Sequence, residues 1–184
     1  YDLEGELIQF VPDAGVNNVD VRRGFVLGDT DTCAVVAAGN DPDSTLSLYV
    51  VRPGTDTLCA INARELRTLK AYGICLYRSN TTHRFHCFIT DRRGTVEQWE
   101  LFADGRGAVD GRVVRRFSLE SKVEGCVADD ERGVVYVAEE ERGIWRFGAE
   151  PDDSAPGVLI DPVAHEGPLV ADVEGVAVYA PETD

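Results

Sequence analysis

"VEGCVADDERGVVYVAEEERGIWRF", from Val123 to Phe147, decides the fold. Two valine-rich runs, GCVA and VVYVA, flank Asp129–Gly133, a stretch of acids, Arg and Gly that reads as a hairpin turn. A third run, GIWRF, follows the acids Glu139–Glu141. Short runs rich in β-branched and aromatic residues, bounded by turn formers, are antiparallel strands in a meander. The stretch raises a second question. Its opening Val-Glu-Gly returns at Val173–Gly175 in DVEGVAVY.

The same pattern fills the chain: TCAVVAAGN, TLSLYVV, GICLYR, FHCFIT, TVEQWELF and VVRRFSL are further strand-like runs. Asp104-Gly105 and Asp110-Gly111 are turn dipeptides, and DGRGAVDG between them reads as a hairpin. Only INARELRTLKAYG, Ile61–Gly73, could hold a short helix. The expected class is all-β.

The runs repeat. TDRRGTVEQWELFAD (Thr90–Asp104) and EEERGIWRFGAEPD (Glu139–Asp152) share an acid, an Arg, a Gly and then an aromatic strand. A second register begins at Asn17, Tyr72, Glu124 and Glu174, with spacings of 55, 52 and 50 residues. A period of ~40–50 residues with about four strands per unit marks propeller blades. A meander of unrelated hairpins would not hold four registers in a row. Propellers have ~4–8 blades, whereas 184 residues hold about three and a half. The chain is therefore expected to be an open arc, a propeller domain over residues 1–184 that is incomplete at both ends.

Composition narrows the function. The chain has 18 basic and 33 acidic residues, for a net charge of −15. Such a surface repels phosphate backbones and anionic membranes, so neither nucleic acid nor membrane is an expected partner. A cation is, although most of the acids serve solubility. No apolar run approaches the ~20 residues of a membrane span. No signal peptide is visible at Tyr1 and methionine is absent, so the chain reads as processed or as a fragment. The five cysteines form no CxxC pair, and Cys33, Cys75, Cys87 and Cys126 lie in apolar runs, as buried free thiols do.

The acids gather by position. Innermost strands of a propeller run side by side around a channel, so Asn17, Tyr72, Glu124 and Glu174 should share one mouth. Counting back from the turn sets Glu124 beside Glu139 or Glu140. Strand alternation would put Asp172 and Glu174 on one face. Converging carboxylates raise each other's pKa or demand a cation. Oxygen ligands without His or Cys select a hard ion, Ca²⁺ before Mg²⁺. Glu124, Glu140, Asp172 and Glu174 are the expected calcium ligands. Glu139, Glu141 and Asp129 are expected to be solvated strand or turn ends. His83 and His86, three apart, should face opposite sides of a strand. Asp29–Asp31 and Asp41–Ser44 resemble calcium loops only faintly.

With these residues in place, NNVDVR, AYGICLY, GTVEQWEL, the long Val123–Asp152 stretch and DVEGVAVY resemble the β-propeller phytases, in order along almost the whole chain. The resemblance implies a six-bladed, secreted, calcium-dependent hydrolase. Such an enzyme releases phosphate from phytate, or another inositol phosphate, presented as its calcium complex. It also implies direct attack by a calcium-activated water, with no phosphoenzyme. By position, Glu124, Glu140, Asp172 and Glu174 match acids that hold calcium or face the substrate. Tyr72 matches a cleft tyrosine, and Arg92 falls where the family has a phosphate-binding lysine. Asn17 matches an asparagine near a calcium. Asp41 stands where the family usually has an arginine, which exchanges a phosphate-binding cation for an acid. A non-catalytic calcium-binding module is the competing expectation.

Overall fold

The structure, a computed structural model, describes residues 1–13, 15–28, 32–163 and 167–179. Among these residues there is no helix; the order is strands throughout. The first sheet is β1 (Val16–Val26), β2 (Thr32–Asn40), β3 (Thr45–Val51) and β4 (Cys59–Ala60), with β5 (Leu66–Arg67) also paired to β3. The second is β6 (Gly73–Arg78), β7 (Phe85–Thr90), β8 (Thr95–Ala103) and β9 (Val109–Ser118). The third is β10 (Val123–Asp129), β11 (Val134–Glu139), β12 (Gly143–Gly148) and β13 (Val158–Pro162). Each is an antiparallel meander in chain order, as a propeller blade is. The sheets form an unclosed arc.

The blades meet through their first strands, with β6 packed between β1 and β10. One apolar core lies between the first and second sheets, around Phe25, Leu48, Leu66, Leu76, Phe85 and Trp99. Another lies between the second and third, around Tyr77, Phe88, Val96, Val135, Val137 and Phe147. This explains the burial patterns. All six residues of β7 are buried because a sheet covers each face. On β1 burial alternates, and Val19, Val21 and Val26 are exposed on the outer face. Val158 and Ile160 of β13 are exposed at the other end of the arc.

Several sequence expectations are met. The hairpin falls where expected, with Asp129 paired to Val134 across it. The shared acid-Arg-Gly-aromatic plan marks the third strand of two successive blades, β8 and β12. Gly94, just before β8, and Gly143, the first residue of β12, adopt φ of 85° and 125°, positive values that glycine tolerates without Cβ strain. Cys75, Cys87 and Cys126 are buried free thiols, Cys33 is buried with its thiol donating to the Phe25 carbonyl, and Cys59 is exposed.

Others are corrected. Ile61–Gly73 forms no helix. Asn62 accepts the Leu48 amide and donates to the Leu46 carbonyl, and Leu66 is fully buried in β5, so the edge of β3 claims the segment. His83 is not on a strand; it sits in the β6–β7 turn with φ 58°, while His86 is buried on β7. Asp29–Asp31 lies outside the described residues.

Candidate functional site

The starts of β6 and β10 and the β2–β3, β7–β8 and β11–β12 turns lie at one end of the arc. The chain is pinned there by cross-blade hydrogen bonds. Asn17 Nδ2 donates to the Tyr72 carbonyl at 2.6 Å. The Thr90 hydroxyl donates to the Glu124 carbonyl at 2.6 Å and accepts the Gly73 amide. The Gly125 amide donates to the Glu174 carbonyl at 3.2 Å. The four repeat positions are therefore neighbours around one mouth, as their spacing implied. Asn17 spends its side-chain amide on Tyr72.

Arg92 is presented by an aspartate-capped turn. Asp91 Oδ1 accepts the amides of Arg93 and Thr95, both at 2.8 Å, which holds Arg92 at the tip. The Arg92 guanidinium lies 4.2 Å over the centroid of the Tyr72 ring, a cation–π distance. Lys122 Nζ stands 5.1 Å from the same centroid. Asp41, just after β2, faces Arg92 at 3.8 Å and Lys70 at 3.7 Å. Asp41 is therefore not isolated; it has two cations within ion-pair range.

On the third blade the Glu140 amide donates to the Lys122 carbonyl at 2.9 Å. This seats Glu140 beside Glu124, as the strand count predicted. Lys122 Nζ bridges them, paired with Glu124 Oε1 and lying 2.9 Å from Glu140 Oε2. Both oxygens are buried without a hydrogen bond of good geometry. The carboxylates, Glu124 first, hold the Lys122 ammonium well above its ordinary range.

Asp172 and Glu174 are close in backbone only. The amides of Asp172 and Val173 donate to the Glu140 carbonyl. Both acidic side chains are exposed, and residues 167–179 form no assigned strand. Asp172 has φ 82°, so strand alternation does not describe it. Among the described residues, no three Asp, Glu, His or Cys side chains converge closely enough to hold one metal ion. The four expected ligands thus divide into a converged pair and two adjacent acids.

Two solvated-end expectations fail. Glu139 is fully buried and accepts from the Ser121 amide at 2.6 Å, the Ser121 hydroxyl at 2.9 Å and Trp145 Nε1 at 2.7 Å. Asp129 is buried and pairs with Arg132 while accepting its amide at 3.0 Å. Both acids hold turns together.

The sequence reading passed over Lys70 and Lys122, which are the only lysines in the chain. A signal for them existed. They stand two residues before Tyr72 and Glu124. Residues two apart on extended chain share a side, so this position reaches the same mouth.

The converged carboxylates suit a hard cation, because they offer only oxygen and already converge on a positive charge. Beside them, Arg92, Lys70 and the Tyr72 face suit an oxyanion. Successive four-stranded antiparallel meanders around one mouth define a β-propeller protein. The chain belongs to the phytase family, whose model, Phytase, matches residues 1–184. It is 35% identical to the 3-phytase of Bacillus subtilis (strain 168) over 184 residues, 97% of this chain and 48% of that protein. The chain therefore spans about half the length of this curated relative.

Proposed function

We propose that the protein carrying this chain is a phosphomonoester hydrolase that releases phosphate from phytate with the help of calcium. The family match over the whole chain supports the substrate class. The observation that carries the site assignment is the convergence of Glu124 and Glu140 on a single cation, next to the Arg92–Tyr72 platform.

Glu124 and Glu140 would hold calcium, with Asp172 and Glu174 adjoining. Calcium at this mouth would neutralise phosphate oxygens and acidify an attacking water. Arg92 would bind and orient a phosphate through its planar fork, held in place by Tyr72 and the Asp91-capped turn. Water attacks phosphorus as the ester P–O bond breaks, and the departing inositol oxygen gains a proton. A negative protein can approach a highly negative substrate only through such bridging cations, so the calcium complex is the natural substrate form.

Phosphate release from calcium phytate by the complete protein tests this reading. Glu140→Gln and Glu124→Gln keep shape and remove charge. Each is expected to lower turnover at least about tenfold while shifting the melting temperature little. Wild-type turnover in both variants, or full activity in excess EDTA, would sink the assignment.

A further inference from the structure

We propose that Lys122 is a tethered counter-cation: its ammonium sits where the divalent ion binds, leaves when that ion enters, and then serves the anion over Tyr72. The inference rests on the metal site proposed above and adds a residue that the family resemblance did not supply.

The geometry is specific. Lys122 Nζ meets one oxygen of each carboxylate, and both oxygens are buried with no other hydrogen bond. A divalent ion on those oxygens would lie within contact distance of the ammonium, and two cations cannot share that seat. Motion is confined to the side chain, because the Lys122 carbonyl is tied to the Glu140 amide and Val123 is buried in β10. The side chain is 32% exposed, so it has room to swing. The Tyr72 face, shared with Arg92, is already within 5.1 Å of it. Lysine suits this part, being a point charge on a flexible stem, whereas arginine would lock as a fork.

Two consequences follow. Without a divalent ion, the carboxylate pair is not left as an uncompensated buried charge. With one, the freed ammonium adds to the anion site, so cation and oxyanion each favour the other's binding, reciprocally.

The test uses the complete protein, Ca²⁺ alone as probe, and two readouts. A chelator-competition titration compares wild type, Lys122→Gln and Glu140→Gln. Amine acetylation followed by mass spectrometry compares Lys122 with Lys70, with and without Ca²⁺. The expected result is that Lys122→Gln tightens, by roughly fivefold or more, the same calcium step that Glu140→Gln weakens. Lys122 acetylation should rise relative to Lys70 when Ca²⁺ is added. If Glu140→Gln removes a calcium step while Lys122→Gln leaves it unchanged and acetylation does not move, the lysine inference is overturned and the metal site stands. If no calcium step depends on Glu140, both are overturned. The acetylation arm uses wild-type protein, so misfolding of a variant cannot decide it.

Discussion

Asp41 faces both Arg92 and Lys70, at 3.8 and 3.7 Å, without a hydrogen bond to either. Pairs this loose, between a half-buried carboxylate and two exposed cations, contribute little, at most ~1 kcal/mol each, so their positioning effect is small. The acid's charge acts on any phosphate bound by Arg92 regardless of that geometry, and the charge effect therefore wins. Asp41→Asn keeps the shape and removes the repulsion. It is expected to lower the KM for calcium phytate a few-fold with little change in kcat; an unchanged or higher KM in initial-rate measurements would mean that Asp41 instead positions the cations. Installing arginine is a poorer test, since it would set a third positive charge against Arg92 and Lys70. Glu139 and Glu140 make the complementary point. They are consecutive acids at the end of β11, yet one is buried as a turn anchor and the other faces the mouth.

Strand β7 carries a second polar group, away from the mouth. His86 is 1% exposed, stacked on Tyr77 at 5.9 Å, and neither ring nitrogen has a partner among the described residues. Glu100 from β8, Glu150 beyond β12 and Arg84 in the preceding turn surround it electrostatically. Burial holds its pKa below 6.5 against the opposing pull of the two carboxylates. Burial also pushes against Glu150, but hydrogen bonds from Tyr77, Ser79 and Thr81 prevail and keep that carboxyl below its ordinary range. Unfolding frees His86 to take a proton near its ordinary pKa of 6.5. Between that value and the lower folded one, the unfolded state binds more protons. Stability is thus fully present above about pH 6.5 and declines as pH falls through that window. His86→Phe keeps the stack and removes the proton. Its urea midpoint should fall less than wild type's between pH 7.5 and pH 5.5, and parallel losses in the two proteins would refute the assignment.

The arc itself depends on how closely its inner strands approach. A Cβ on Gly73 would lie 2.1 Å from the Glu124 carbonyl oxygen and 2.8 Å from the Thr90 hydroxyl. The Glu124 carbonyl, being backbone, cannot yield without parting β6 from β10. Gly73→Ala is therefore expected to cost about 1–3 kcal/mol, the usual range for overpacking. Because the atom it strikes belongs to Glu124, it should also weaken the calcium binding proposed at that residue. Thermal melts with and without Ca²⁺ measure both, and a variant that melts and responds to calcium as wild type does would show that the blades are not locked at this point. Leu48, Tyr77 and Phe88 place the cores between blades, so such a displacement is transmitted through packed side chains.

Strand identity and order could be read from the chain because a sheet's pleat imposes a local period of two, and each β-run is closed by its own turn residues. The blade period was legible for a related reason. Each sheet repeats one supersecondary unit, so Asn17, Tyr72, Glu124 and Glu174 return at nearly fixed spacing. The Glu124–Glu140 neighbourhood followed from counting along a single hairpin. What local period cannot carry is contact between units. Ile61–Gly73 has residues that suit a helix, yet the edge of β3 and the Asn62 hydrogen bonds take it. Asp129 and Glu139 look like solvated acids until Arg132, Ser121 and Trp145 close over them. Asp172 leaves the strand pattern because its left-handed backbone lets its amide and that of Val173 reach Glu140. Lys122 shows the difference most directly. Its place two residues before Glu124 was visible in the chain and its two carboxylates come from one hairpin, but its place beside Tyr72 exists only once the second and third blades have packed, since Tyr72 leads into a different sheet.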